Sequence, residues 1–170
     1  WICTITGEQK ALVSGKLLFD AQSPSDYPAV GDYVMVGCAD PDTAVIHQVL
    51  PRRSLFVRRA AGTSKMEQVV AANIDTVFLC MSLNNDFNLR RLERYLAVAW
   101  ESGAEPVVVL TKADLCADLP QKQREVETIA MGVDILTTSA MELEGYRQIM
   151  PYITEGRTVA FVGSSGVGKS

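Results

Sequence analysis

Gly163-Ser164-Ser165-Gly166-Val167-Gly168-Lys169-Ser170 is the stretch that decides the fold. Two glycines with four residues between them, then Lys and Ser, make the phosphate-loop pattern. The run 157–162 ahead of it reads as a short buried strand, the context this pattern requires. Glycines let the backbone curl so that successive N–H groups turn inward toward phosphate oxygens. Lys169 is then expected to reach the β- and γ-phosphates, and the Ser170 hydroxyl to ligate Mg²⁺. A Gly/Ser-rich loop arising by chance is the competing reading. The sequence starts at Trp1 and stops at Ser170, where a helix normally begins and lends its dipole to the phosphates. It therefore reads as a fragment of a longer chain, truncated after the phosphate loop.

Working outward, the texture from residue 69 onward alternates strand and helix. Residues 76–82 (Thr-Val-Phe-Leu-Cys-Met-Ser) form a continuous apolar run, as in a strand buried on both faces. Asn84, Asn85 and Asp86 offer caps for a helix over 89–102, which Gly103 stops. Leu89, Leu92, Leu96, Ala99 and Trp100 line its apolar face. Pro106 leads into a strand over 107–110. A polar helix over 120–131, a strand over 133–138 and a helix over 143–153 follow. This order predicts a doubly wound, mostly parallel α/β sheet, whose ligands sit beyond the carboxyl ends of the strands. The loops after Ser82, Leu110, Thr138 and Val162 are the ones to inspect.

Residues 1–68 read differently, as several short strands. The candidates are 11–20, 33–36, 43–50 and 55–57, with turns at Ser23-Pro24-Ser25-Asp26-Tyr27-Pro28 and Asp40-Pro41-Asp42. That spacing predicts a small β-barrel, of which the oligonucleotide-binding (OB) barrel is the best known at this size. The domain boundary is expected in the Gly62-Thr63-Ser64 stretch, giving domains 1–68 and 69–170.

Composition bounds the chemistry. Hydrophobic residues make up 48% and charged residues 21%, as in ordinary globular proteins, and no apolar run reaches membrane-spanning length. Cys3, Cys38, Cys80 and Cys116 are far apart and His47 is the only histidine, which argues against a Cys/His zinc site within these residues. Each cysteine reads as a small buried hydrophobe in a reducing compartment. The net charge is −4. Residues 1–68 hold seven basic and seven acidic side chains, so the deficit lies in 69–170. Arg52, Arg53, Arg58, Arg59 and Lys65 form a local basic patch. It has two readings: contact with nucleic-acid phosphates, or a solvated strand end paired with nearby acids.

Two loops bear on base recognition. Thr111-Lys112-Ala113-Asp114 follows one strand, and Thr138-Ser139-Ala140 follows the next. They resemble the guanine-recognition motifs of GTPases, Asn-Lys-x-Asp and Ser-Ala. A carboxylate at Asp114 can accept from guanine N1–H and the 2-amino group together, a donor pair adenine lacks. The Lys112 stem can lie along the base, and the Ala140 N–H can face guanine O6. Taken alone, Thr-Lys-x-Asp is also read as a helix cap.

Ordinary GTPases meet the phosphate loop first and the base motifs last; here the order is inverted. With the barrel in front, and with Leu50-Pro51-Arg52-Arg53-Ser54 and Ala71-Ala72-Asn73-Ile74-Asp75, the chain resembles the RsgA family. These are circularly permuted GTPases that act on the small ribosomal subunit. The resemblance implies a GTP/GDP site with Mg²⁺ and rRNA contact by the barrel. It also implies a role in late small-subunit maturation and a zinc-binding domain beyond Ser170. A cytoplasmic monomer goes with it. Thr111 stands where the family has Asn, which implies weaker guanine affinity. Hydrolysis would use Mg²⁺ and Lys169 to neutralise transition-state charge, and this segment alone is expected to be inactive. Two alternatives stay open: an ATP-using P-loop protein, and a non-catalytic RNA-binding module.

Overall fold

The computed structural model describes residues 1–170 apart from 41–42, 60–66, 85, 143–144 and 170, and leaves out the side chains of 38–40, 58–59 and 67–68. The chain divides into two compact units, Trp1–Asn73 and Ile74–Ser170.

The first unit contains β1 (Ile2–Thr4), β2 (Gly7–Val13), α1 (Gly15–Asp20), β3 (Val34–Asp40), β4 (Thr43–Val49), β5 (Leu55–Arg59) and β6 (Glu67–Ala72). Its described ladders form a four-stranded sheet of order β1-β2-β4-β3 and a separate antiparallel pair, β5 with β6. β2 runs parallel to β4, and the other neighbours are antiparallel.

Two expectations change here. The strand expected over 11–20 ends at Val13, and Leu17, Leu18 and Phe19 lie in α1. Ser14 is the cause: its Oγ accepts from the Leu17 N–H at 3.2 Å and caps a short helix in which Lys16, Leu17 and Leu18 are good helix formers. The unit also runs past residue 68, because β6 pairs with β5. Asn73 closes it in a left-handed conformation (φ 55°). Its Nδ2 donates to Gly31 O and its Oδ1 accepts from Arg53 N, both at 2.9 Å. Gly31 must lack a side chain, since a Cβ there would come within 2.2 Å of the Ala72 carbonyl oxygen.

The second unit is a parallel sheet of order β10-β7-β8-β9, with β7 (Thr76–Ser82), β8 (Glu105–Thr111), β9 (Asp134–Thr137) and β10 (Val159–Gly163). Every residue of β7 is buried, as its unbroken apolar run requires of a central strand. Val107, Val108, Val109 and Leu110 continue the core on β8.

Helix α2 (Leu89–Ser102) buries Leu92, Leu96 and Ala99. Asn88 caps it, its Oδ1 accepting from Arg91 N at 3.0 Å, and Gly103 ends it at φ 82°. Asn88→Ala removes that cap acceptor and should cost about 1 kcal/mol in urea unfolding. α3 (Leu119–Ile129) starts at Asp118, whose side chain accepts from Gln121 N.

The helix expected over 143–153 does not form. Residues 145–149 are turns, and Met150–Tyr152 is a single 3-10 turn. Pro151 has no N–H to give to a carbonyl four residues back, so a continuous helix would lack a rung there. The Tyr152 ring instead packs edge-on against Phe78, with centroids 5.6 Å apart.

Candidate nucleotide-binding site

The carboxyl ends of β10, β8 and β9 deliver three loops. β10 ends at Gly163, pressed against β7: a Cβ at 163 would come 2.5 Å from the Cys80 carbonyl oxygen. The chain then turns through Gly166 (φ 75°) and Gly168 (φ 93°), left-handed conformations that favour glycine. A Cβ on Gly166 would meet nothing within 4 Å, so the loop has open space beside it. Between these glycines Val167 points the other way. Its side chain is 1% exposed and packs with Phe78, Cys80, Val107 and Val109. One hydrophobe thus anchors an otherwise polar loop to the core.

β10 and β8 are separated by β7, about 10 Å apart at ordinary strand spacing. The loop spans that gap. The Thr111 hydroxyl donates to the Val167 carbonyl at 2.6 Å. The Lys112 ammonium donates to the Gly166 carbonyl at 2.8 Å. Lys169 folds over its own loop and donates to the carbonyls of Gly163 (3.0 Å) and Ser164 (2.6 Å). Lys112 itself is left-handed, at φ 58°.

The base motifs also meet. Asp114 lies in the 3-10 turn Ala113–Leu115, and its Oδ1 accepts from the Ser139 hydroxyl at 2.6 Å. Ser139, 4% exposed, accepts in turn from Met141 N at 3.1 Å. Ala113 N donates to Thr138 O at 3.2 Å. Ala140 follows on the exposed side of the loop. Thr111 and Lys112 are therefore hydrogen-bonded to the loop from Gly163 to Lys169, and Asp114, in the same loop after β8, is hydrogen-bonded to Ser139. Ser170, the expected Mg²⁺ ligand, lies outside the described residues. Among the described residues no group of three or more His, Cys, Asp or Glu side chains is arranged to hold a metal.

Sequence reading missed several supports of this assembly. It counted Val167 among the nucleotide-binding residues of the phosphate loop and not as the loop's anchor in the core, although a single aliphatic residue inside a glycine-rich run is a visible signal. It also missed Gly145, which is buried against the base loop: a Cβ there would lie 2.3 Å from Ser139 O. No local pattern announces that contact.

Cys80 sits under the loop, and burial pushes its thiol up to about 11, with Lys169 pulling the other way. At pH 8 about one thiol in a thousand would be the reactive thiolate. Cys3, by contrast, is exposed and Cys116 partly so, against the expectation that every cysteine is buried. In the native protein at pH 8 a thiol reagent should label Cys3 readily and leave Cys80 unmodified until denaturant is added; peptide mapping of the labelled sites checks this.

Of the arginines expected to meet RNA, Arg52 is spent inside the first unit. Its Nε donates to Asp32 Oδ1 (2.7 Å), and its two terminal nitrogens reach Asp32 Oδ2 (2.6 Å), Ser25 O (2.5 Å) and Tyr27 O (2.9 Å). Asp32 is almost fully buried, with its side chain 1% exposed. Arg53 is exposed. The side chains of Arg58 and Arg59 lie outside the described residues.

A parallel strand running into a glycine-rich loop, with its one hydrophobe buried and a lysine folded over its carbonyls, defines the class: a P-loop α/β protein. Within that class, the family model for the RsgA GTPase matches residues 49–170, and the chain belongs to the RsgA GTPase family. The small ribosomal subunit biogenesis GTPase RsgA 2 of Lactiplantibacillus plantarum is 52% identical over 169 residues, which cover 99% of this chain and 48% of the relative. RsgA of Opitutus terrae is 46% identical over 173 residues, covering 96% and 47%. The chain spans about half the length of these curated relatives. Among solved structures, YjeQ from Thermotoga maritima superimposes with a TM-score of 0.74 at 29% identity, over 98% of this chain and 56% of that one. YloQ, a circularly permuted GTPase, superimposes at 0.60 with 24% identity, which bears on the fold alone.

Proposed function

We propose that the protein binds guanine nucleotides, hydrolyses GTP to GDP and phosphate, and acts in the maturation of the small ribosomal subunit. One observation supports this above the rest: the loop that carries Asp114 is tied to the phosphate loop by the Thr111–Val167 and Lys112–Gly166 bonds, and Asp114 itself is held by Ser139. A purine selector and a phosphate cradle on separate, unconnected loops would not serve one nucleotide. The relatives bearing the small-subunit GTPase name supply the biological role.

In this reading Asp114 accepts from the guanine N1–H and 2-amino groups, with Ser139 holding its other oxygen lobe. Lys112 lies along the base, and Ala140 N–H faces O6. The backbone N–H groups from Gly163 to Lys169 cradle the phosphates. Lys169 exchanges its carbonyl partners for phosphate oxygens and neutralises charge as the terminal phosphoryl group leaves. Mg²⁺, when bound through Ser170, supplies further neutralisation.

The first unit acts as an oligonucleotide-binding barrel touching rRNA, through Arg53, Arg58 and Arg59. Arg52 belongs to that patch in sequence, but its guanidinium holds the Ser25–Asp32 loop. The expected compartment is the cytoplasm, where ribosomal subunits assemble.

Co-sedimentation with purified small subunits, in a non-hydrolysable GTP analogue and over a salt series, tests the role. Binding that weakens steeply with salt, with a shallower slope in Arg53→Glu, is expected. Absence of binding at low salt would overturn the ribosomal part of the reading.

A further inference from the structure

We propose that Gly145, which belongs to neither base motif, is a positioning residue for guanine recognition: the room it leaves fixes the direction of the Ala140 N–H. This rests on the guanine-nucleotide reading above, in which that N–H faces O6. Gly145 is buried, and a Cβ built on it would lie 2.3 Å from the Ser139 carbonyl oxygen. Its next neighbours would be the Ser139 carbonyl carbon and nitrogen, each at 3.3 Å. A side-chain carbon does not come within 3.0 Å of a backbone oxygen, so any side chain at 145 would push the Ser139 carbonyl aside.

What that carbonyl controls follows from the peptide it belongs to. The Ser139 C=O and the Ala140 N–H are two ends of one peptide group, and no described peptide is cis. In a trans peptide the two point in opposite directions. The carbonyl faces the segment that follows it: Gly145 lies against it, and the Glu142 N–H donates to it at 3.3 Å. The Gly145 N–H donates in turn to the Glu142 carbonyl at 3.1 Å, which folds the segment back on Ser139. The Ala140 N–H is therefore turned away from this segment. Among the described residues nothing accepts from it. The fold aims this donor outward and leaves it open to an acceptor on a ligand.

Ser139 is held differently on its side-chain end. Its hydroxyl donates to Asp114 Oδ1 at 2.6 Å and accepts from Met141 N at 3.1 Å. The side chain steadies the carboxylate that meets guanine N1–H and the 2-amino group, while the main chain presents the donor for O6. Two edges of the base are served through different atoms of one residue. The hydroxyl has its own anchor in Met141 N. The carbonyl has only one long hydrogen bond and the close contact with Gly145, whose three nearest neighbours are all backbone atoms of Ser139. A side chain at 145 would therefore disturb the O6 donor and spare the Asp114 contact.

The test separates those two edges. Equilibrium dissociation constants for GDP, 6-thio-GDP and inosine diphosphate are measured on the purified protein and on Gly145→Ala and Tyr146→Ala, with folding checked by circular dichroism. Sulfur in place of O6 is a poor acceptor; inosine keeps O6 and lacks the 2-amino group. The wild type should bind GDP about tenfold more tightly than 6-thio-GDP, as expected for one hydrogen bond exchanged for a weak one. In Gly145→Ala that preference should vanish, while the preference for GDP over inosine diphosphate is kept. Tyr146→Ala, a change at an exposed neighbour in the same segment, should leave both preferences as they are. The inference is overturned if Gly145→Ala keeps the preference over 6-thio-GDP, loses both preferences together or fails to fold. It is equally overturned if Tyr146→Ala gives the same loss. Parity of GDP and 6-thio-GDP in the wild type overturns it whatever the variants do. A wild-type protein without preference for GDP over ADP would instead remove the parent reading, and this inference with it.

Discussion

Asp114→Asn should lower the preference for GDP over ADP by two orders of magnitude or more, and raise the affinity for xanthosine diphosphate. The wild-type carboxylate offers only acceptors, and guanine offers two adjacent donors, N1–H and the 2-amino group. An amide at this position places one NH₂ where one of those donors must sit. Xanthine carries a carbonyl at that place and can accept from the amide. A site built to hydrogen-bond a ligand group discriminates by about 10⁴ against an analogue that lacks it, so removing the acceptor pair should forfeit much of that. The neighbourhood restricts escape. Oδ1 is already engaged by Ser139 at 2.6 Å, and Ser139 is anchored by Met141 N, so the substituted amide cannot swing freely to a new pose. Competition binding with GDP, ADP and xanthosine diphosphate measures the effect. An unchanged GDP preference would mean that Asp114 has no part in base selection.

Arg52→Ala should destabilise the first unit by about 3–5 kcal/mol, the usual consequence of removing one partner of a buried ion pair. The variant would strand Asp32, whose side chain is 1% exposed, with only the Ala29 N–H (2.8 Å) as a remaining described donor. It would also release the carbonyls of Ser25 and Tyr27, which the guanidinium ties to the same point. The hydrogen bond to Asp32 raises the proton affinity of the Arg52 guanidinium still further, so the guanidinium stays charged at any working pH. A loss of this size is a large share of an ordinary domain's stability. Urea unfolding followed by circular dichroism reads it. Arg52→Lys should recover little, because a single ammonium cannot fork between the carboxylate and two carbonyls. A cost below about 1 kcal/mol would return Arg52 to the class of weakly held surface charges.

These two residues show what the sequence could and could not convey. The place of Asp114, in the turn just after an apolar strand, was legible because both the strand and the Thr-Lys-x-Asp pattern are local in sequence. The parallel sheet was legible for the same reason: buried strands such as Thr76–Ser82 and the glycine-rich loop are local patterns. Arg52 was not, because its partner Asp32 is twenty residues away and nothing in a run of arginines distinguishes a buried fork from a solvated one. The turn at 145–153 was misjudged because apolar spacing suggested a helix, while Pro151 and the contact of Gly145 with Ser139 O set the backbone. The first unit suffered most. β3, β4 and β5 were expected, but β1 and β6 were not, and α1, capped by Ser14, lay inside an expected strand. The tie from Thr111 to Val167 joins positions that only the folded sheet brings together.

In the proposed function the base loop and the phosphate loop serve one guanine nucleotide. Equilibrium competition against a fluorescent GDP derivative tests that most directly. GDP should displace the probe at concentrations about 10³–10⁴ lower than ADP does. Equal displacement by the two, or displacement by ADP at the lower concentration, would contradict it.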